Sequence, residues 1–264
     1  MRMQQNAQPA GFHLRKLYID CVSPAGLAII AYSGSVSWKS FSTGISNVTL
    51  FDSDGKTRSR WALSCVEERH SGAGLCWDAR ELACCINMRS RADGFAEQLL
   101  HSDFGDVDWN CIVPFAEVAV DLEGTRIEGL GYAELIELTL PPWSLPLDVL
   151  RWGRFLGGDE SLVWIEWRGA HSMKRAWWNG RCLTTGDIGH NRVALEGNAR
   201  LEMEEFRVLR SGTLERLFAP VEVLLRMLPV GRIHETRWLS AGRLYDSATE
   251  IARGWAIHEE VSFR

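Results

Sequence analysis

The sequence predicts an all-β protein built from two β domains of similar size packed together. Three observations carry that expectation. Apolar residues recur mostly with a period of two, not 3.6. Turn signals punctuate the chain at short intervals: Ser-Asp-Gly at 53–55, Ser-Gly-Ala-Gly at 71–74 and Ala-Asp-Gly at 92–94. A stretch just past the midpoint, Pro141-Pro142-Trp143-Ser144-Leu145-Pro146-Leu147-Asp148, holds three prolines in six residues. Proline stops sheet pairing and stiffens a connection. The expected layout is an N-terminal β domain over 1–140, a connection over 141–148 and a C-terminal β domain over 149–264.

Taken in order, 26–33 reads as a strand with Leu27, Ile29 and Ala31 on one face. Segments 47–51, 60–66 and 81–88 follow, then 107–113, 116–122 and 125–140. The second half continues with 161–168, 174–178, 198–209, 233–239 and 254–263. Many short strands at near-regular spacing point to sandwiches or barrels. One segment reads as a helix: 213–228 sets Leu214, Leu217, Phe218, Val221, Leu224 and Leu228 at helical spacing. Pro220 either kinks it or stands in its first turn. Its apolar face suits packing over a barrel end or docking a partner. A faint internal echo joins the halves, Gly131-Tyr132-Ala133-Glu134 against Gly254-Trp255-Ala256 with Glu259.

Composition narrows the partners. The chain has 264 residues, 46% apolar and 24% charged, with a net charge of −5. Nothing supplies the basic field that draws in nucleic acid or an anionic membrane. No stretch approaches the roughly 18 apolar residues of a membrane helix. The first ten residues lack the apolar centre of a secretory signal. The 7 cysteines are an odd number and lie mostly in strand-like runs, which suits buried reduced thiols and a cytoplasmic location. No CxxC, HxH or HExxH supports a metal site, and no GxGxxG, Walker or GxSxG motif supports a nucleotide or a serine nucleophile. The expectation is an absence of cofactor and metal. The unusual count is 12 Trp against 4 Tyr and 10 Phe, which suits either packing or gripping a hydrophobic small molecule.

Candidate chemistry begins in 125–140. On a strand, Tyr132, Glu134, Ile136, Leu138 and Leu140 share one face. If that face lines a dry interior, Glu134 is a carboxyl held protonated beside a phenol, as a general acid requires. The alternative is an ion pair with an arginine such as Arg126 or Arg151. At the C-terminus Trp255, Ile257, Glu259, Val261 and Phe263 share a face, and Glu259 is either a second acid or the partner of a nearby arginine. His258 falls on the opposite, polar face and is expected to be solvated. Tryptophans cluster at Trp143, Trp152, Trp164, Trp167, Trp177 and Trp178, either as packing or as an indole-walled pocket. Trp109 shares a face with Val107, Cys111 and Val113 and is expected to point inward.

Several of these segments together resemble the AttH-like family, which includes carotenoid 1,2-hydratase (hydroxyneurosporene synthase). The residues are Gly129-Leu130-Gly131-Tyr132-Ala133-Glu134, Pro141-Pro142-Trp143, Leu150-Arg151-Trp152-Gly153-Arg154-Phe155, Val163-Trp164-Ile165-Glu166-Trp167, Trp178-Asn179-Gly180 and Arg253-Gly254-Trp255-Ala256-Ile257-His258-Glu259. The resemblance is carried over roughly 129–180 and at the C-terminus, with the Trp-Gly-Arg element its most specific part. It implies two lipocalin-like β-barrel or sandwich domains with a hydrophobic cavity near their interface. It implies further that Tyr132 and Glu134 match a Tyr-x-Asp element that protonates a terminal alkene, and that Trp109 matches an upstream Trp that helps bind. Here Glu replaces Asp, and Leu135-Ile136-Glu137 replace the His-Asn-Trp of the hydratases. That departure leaves isomerisation, cyclisation or binding alone open beside hydration.

The sequence therefore points to a cofactor-independent enzyme acting on a hydrophobic polyene, terpenoid or polyketide. Glu134 and Tyr132 are the candidate catalytic pair. Trp109, Trp143, Trp152, Trp164, Trp178, Trp255 and Glu259 are the candidate substrate-binding residues. Two alternatives use the same pocket: a lipocalin-like carrier without chemistry, and a Diels–Alder-type pericyclase that relies on shape and one hydrogen-bond donor.

Overall fold

The computed structural model describes residues 11–71, 74–213 and 233–263. Its strands are β1 (His13–Val22), β2 (Ala28–Trp38), β3 (Phe41–Phe51), β4 (Thr57–Ala62), β5 (Arg69–Ser71), β6 (Gly74–Ala79), β7 (Cys84–Ser90), β8 (Phe95–Ser102), β9 (Gly105–Leu122) and β10 (Thr125–Leu138) in the first half. The second half holds β11 (Val149–Gly157), β12 (Glu160–Arg168), β13 (Met173–Trp178), β14 (Arg181–Leu183), β15 (Thr185–Ile188), β16 (Arg192–Leu195), β17 (Arg200–Thr213), β18 (Ile233–Asp246) and β19 (Thr249–Phe263). The fold is all-β, as the period-two pattern predicts. The expected helix over 213–228 lies outside the described residues, apart from Thr213, which ends β17.

Two antiparallel sheets result, and they share one topology. The first runs β4-β3-β2-β1-β10-β9-β7-β6-β5, with β8 paired to β9, and the second runs β14-β13-β12-β11-β19-β18-β17-β16-β15. In each, the first strand of the half pairs with the last. β10 and β19 thus hold equivalent places, which gives the faint echo between Gly131–Glu134 and Gly254–Glu259 a structural counterpart. Residues 141–148 connect the sheets, and Pro142–Ser144 form a single 3-10 turn after an extended Pro141.

Three apolar clusters follow from strand alternation. The inner face of the first sheet packs Leu17, Ile19, Ile29, Leu75 and Trp77. The inner face of the second packs Phe155, Leu162, Trp164, Leu201 and Leu244. The largest cluster lies between the sheets, where Tyr18, Tyr132 and Trp109 of the first meet Trp152, Trp167 and Trp177 of the second. Central strands are therefore covered on both sides. In β1, Leu17, Ile19 and Cys21 enter the first sheet's own core, while Tyr18, Asp20 and Val22 face the other sheet. A strand buried on both faces shows no polar alternation, and β1 was not among the expected strands.

Strand β9 departs from the expected pair 107–113 and 116–122. It runs unbroken through Pro114, and its register against β10 shifts twice, between Gly131 and Ala133 and again between Ala133 and Leu135. Each bulge adds a residue to β9 and turns the next side chain to the other face. Trp109 and Cys111 consequently face the second sheet, whereas Val113 joins the first sheet's own core. The expectation that Val113 shares Trp109's face is corrected by these bulges, which flank the Tyr132–Glu134 segment.

Candidate active site

Where the sheets meet, the four central strands contribute matched rows of side chains. On β1 and β10, Val22 lies opposite Leu130, Asp20 opposite Tyr132 and Tyr18 opposite Glu134. On β11 and β19, Leu156 lies opposite Trp255, Arg154 opposite Ile257 and Trp152 opposite Glu259. Successive rows stand one two-residue step apart, about 7 Å along the strands.

The first row opens to solvent. Val22, Leu130, Leu156 and Trp255 wall a cleft of about 770 Å3 along the seam. Gly26 presses against Trp255 there; a Cβ would stand 2.9 Å from the indole, and its φ of +79° favours glycine.

The second row closes the cleft floor. Arg154 donates from Nε to Asp20 Oδ2 at 3.1 Å and from Nη2 to Asp20 Oδ1 at 2.7 Å, and both side chains are 0% exposed. Its Nη1 reaches the Trp255 carbonyl at 2.7 Å, and the Tyr18 hydroxyl donates to Asp20 at 2.9 Å. This bidentate pair ties the two sheets together. The Trp-Gly-Arg element gains a physical meaning here. Trp152 and Arg154 face the other sheet, while Gly153 leaves room on the inner face for Trp164, whose ring would lie 2.3 Å from a Cβ.

The third row holds the acid. Glu134 is 7% exposed and pairs with no arginine among the described residues; Trp109 Nε1 donates to its Oε2 at 2.6 Å and the Tyr132 hydroxyl donates to the same oxygen at 2.8 Å. Among the described residues, no hydrogen bond reaches Oε1. Burial pushes the Glu134 carboxyl above its ordinary value, and Glu259 adds to the rise. Lys16 and the two hydrogen bonds pull the other way without overturning it. Burial also raises Tyr132 well above the usual phenol value, so it remains a donor. The face carrying this pair looks away from the first sheet's own core and toward the second sheet. The interior that Glu134 occupies is therefore the seam, not the inside of its own barrel.

Aromatic rings enclose the acid. Trp152 lies 5.6 Å from Tyr132 and 5.4 Å from Tyr18, centroid to centroid. Trp109 meets Trp177 at 5.0 Å and Phe95 at 5.5 Å, edge to face. Beyond Glu259 stands Arg237, which donates from Nε to Glu259 at 2.8 Å and from Nη1 to the Tyr32 hydroxyl. Its guanidinium lies 5.1 Å from the Tyr18 ring, 5.6 Å from Tyr32 and 6.0 Å from Trp152, within cation–π range. Burial raises Glu235, but Arg210 and Arg237 overrule it and bring it down to about 2.

The expected site residues divide accordingly. Trp109, Tyr132, Glu134, Trp152 and Glu259 come together at the seam, and Trp255 lines the cleft above them. Trp143 packs edge-on to Phe12 at 6.1 Å and to Trp38 at 5.8 Å, in the turn that connects the sheets. Trp164 and Trp178 lie apart from the acid. Both belong to the second sheet's inner face, and Trp178 donates to Glu160 at 2.5 Å. His258 is not solvated. Its "polar" face is the inner face of the second sheet, where burial, helped by His190, lowers it to about 3 and Ser240 hydrogen-bonds it at 3.0 Å. Sequence reasoning missed Tyr18, Tyr32, Arg154 and Arg237 as members of the site, and named Trp177 only within the tryptophan cluster. One signal was present for Arg237, which shares a strand face with the apolar Leu239. Among the described residues no group of three or more His, Cys, Asp or Glu is placed to hold a metal ion.

No family model matches the sequence, and no curated protein matches it. Solved structures do match in fold. CghA bound to Sch210972 superposes with a TM-score of 0.61 at 9% identity, over 96% of this chain and 89% of that one. A protein given the AttH name, from Nitrosomonas europaea, scores 0.55 at 12% identity over 98% and 96%. Kievitone hydratase from Nectria haematococca scores 0.53 at 8% identity over 99% and 93%. The chain thus shares the two-part, all-β, lipocalin-like fold that the resemblance implied. Among the described residues no helix is long and apolar enough to cross a membrane.

Proposed function

We propose that the protein is a cofactor-independent enzyme that binds a lipophilic polyene, terpenoid or polyketide at the seam and uses Glu134 as its general acid. One observation carries the reading: both donors to Glu134 converge on Oε2. A protonated carboxyl in that arrangement keeps its hydrogen on Oε1, which has no hydrogen-bond partner among the described residues. The acid is thus oriented by Tyr132 and Trp109 and left with a transferable proton. The same two donors stabilise the carboxylate once the proton has gone.

In an alkene reaction, Glu134 Oε1 delivers its proton to one carbon and the neighbouring carbon becomes cationic, facing indole and phenol rings. Loss of a proton from an adjacent carbon back to the carboxylate gives an isomer. Attack by a second alkene of the substrate, followed by the same proton loss, gives a ring. Capture by water, whose surplus proton returns to Glu134, gives a hydrated product. Water access decides among these outcomes. On a carbonyl substrate the same acid polarises the oxygen instead. That a hydratase shares the fold supports the enzymatic reading, and a neighbour bound to the small molecule Sch210972 supports a small-molecule ligand.

The test is Glu134→Gln, which keeps the volume and the acceptor oxygen and removes the acid. With candidate polyenes and mass-spectrometric product detection, wild type converts substrate and the variant loses at least about 100-fold in turnover, the scale of general acid catalysis. Full activity in the variant removes Glu134 from the mechanism. Retained ligand with no change in mass or spectrum in wild type points to a carrier.

A further inference from the structure

We infer that Cys76 and Cys85 form a two-sulfur binding site for a thiophilic metal ion, with Cu(I) the ion that suits it. The site lies on the outer face of the first sheet, apart from the seam, and does not depend on the role of Glu134. It follows from strand alternation and register. On β6, Leu75, Trp77 and Ala79 enter the sheet's own core, and on β7 Cys84, Ile86 and Met88 do the same. The intervening Cys76 and Cys85 therefore share the outer face, and both are partly exposed. Cys76 lies opposite Asn87, and Asp78 lies opposite Cys85, which makes the two cysteines diagonal neighbours. Their side chains lean together, so that the two thiols are in hydrogen-bonding contact. Asn87 Nδ2 donates to the same Cys85 sulfur at 3.4 Å.

The surroundings favour metal ligation over oxidation. Cys85 stands between Asp78 on β6 and Asp121 on β9, each directly opposite it across a ladder. Asp78 is held by Arg80 at 3.2 Å, and Arg69 stands opposite Cys76 on β5. Burial, Cys85 and Asp78 push the Cys76 thiol up, against a smaller pull from Arg69. A thiol held protonated is a poor nucleophile. A metal ion instead displaces the protons and takes both sulfurs as thiolates. Distance points the same way. Diagonal neighbours have Cα atoms about 7–8 Å apart, beyond the roughly 6.8 Å that a disulfide spans. Two metal–sulfur bonds of about 2.3 Å hold their sulfurs roughly 3.8–4.6 Å apart, from tetrahedral to linear geometry. Thiols that already touch need little movement to reach that span. Among the described residues no third His, Cys, Asp or Glu completes a metal group with them. Two soft ligands without a third suit Cu(I), which accepts low coordination, better than Zn(II), which fills four positions. The step is ligand exchange: two S–H protons pass to solvent as two Cu–S bonds form, and no atom changes oxidation state.

The experiment offers the full chain Cu(I) as its coloured bathocuproine disulfonate complex, without oxygen, and reads the loss of colour as metal moves to the protein. The expected result is uptake of one Cu(I) per chain. Alkylation with iodoacetamide followed by peptide mass spectrometry should then find Cys76 and Cys85 protected. Cys76→Ser and Cys85→Ser should each weaken uptake by at least about 100-fold, since even the loss of an outer-shell group costs roughly 10–100-fold. Cys65→Ser and Cys182→Ser remove accessible thiols outside the pair and should change nothing. Absence of uptake by wild type overturns the inference. So does uptake that survives either substitution in the pair, or protection that falls on other cysteines. The wild-type protection pattern decides even where a variant fails to fold.

Discussion

Replacing Asp20 by asparagine keeps the side-chain volume and removes the charge that Arg154 was folded around. Arg154 then loses its counter-charge and one of two hydrogen bonds, of 3.1 and 2.7 Å, because the amide keeps a single accepting oxygen, and the Trp255 carbonyl remains its other acceptor. Both side chains are 0% exposed, so water cannot take Asp20's place. Breaking a buried pair from one side costs about 3–5 kcal/mol because the survivor stays charged and unpaired. Weakening the Tyr18 hydrogen bond to Asp20 adds about 1 kcal/mol. The expected loss for Asp20→Asn is therefore about 4–6 kcal/mol, a large share of the 5–15 kcal/mol typical of a folded protein. Removing both charges with Asp20→Leu and Arg154→Met should return stability to within about 2 kcal/mol of wild type, since no charge is then stranded. Urea unfolding followed by tryptophan fluorescence measures Asp20→Asn and the cycle of wild type, Asp20→Leu, Arg154→Met and the double variant. A loss below about 1 kcal/mol in Asp20→Asn, or additive single changes, refutes the view that this pair fastens the sheets.

Three further outcomes follow from the same geometry. Trp109→Phe removes one of the two hydrogen bonds that favour the Glu134 carboxylate, so the carboxyl should titrate at still higher pH; 13C NMR of labelled glutamate, with Glu134→Gln to assign the signal, reads the shift, and a downward move contradicts the reasoning. His258, lowered from 6.5 to about 3 by burial, stays neutral in the fold while the unfolded chain takes up a proton. Its contribution is thus fully present above pH 6.5 and is lost as pH falls toward 3, at up to about 1.4 kcal/mol per pH unit, and His258→Asn should flatten the urea-measured profile between pH 7 and 4. Gly153→Ala puts a methyl 2.3 Å from the Trp164 ring and 2.7 Å from His258 Cβ. It should cost about 1–3 kcal/mol by overpacking, and an unchanged melting temperature would show that the inner face has slack.

The period of two was enough to reveal the fold class, because strands such as β6 and β7 bury alternate residues and leave the others partly or fully exposed. It was also enough to set Tyr132 beside Glu134 and to separate Trp152 from its neighbours on the inner face. It was not enough to choose between the faces. Trp164 and Trp152 look alike as sequence, and only the packing of the sheets shows that one fills an inner core while the other faces the acid. Strand β9 fails for a different reason. Its two bulges break the alternation on which face assignment depends, and Pro114 was the only local hint of irregularity.

The residues missed at the site share a physical origin. Each sheet uses its inner face for its own core, so the outer faces of its first and last strands are left to meet the other sheet. Those strands are covered on both sides, and their polar residues cannot be told from surface ones by pattern. Nothing in the local pattern pairs Asp20, Arg154, Glu235 or Arg237 with a counter-charge, yet each is under 5% exposed and meets an opposite charge from another strand. The partner of Asp20 is 134 positions away, and that of Tyr32 is 205 away. Separation of that size lies beyond any local motif. The acid itself was findable because its two-residue spacing from a phenol is local. The environment that pushes its carboxyl above the ordinary value was not, because it is assembled from both halves of the chain.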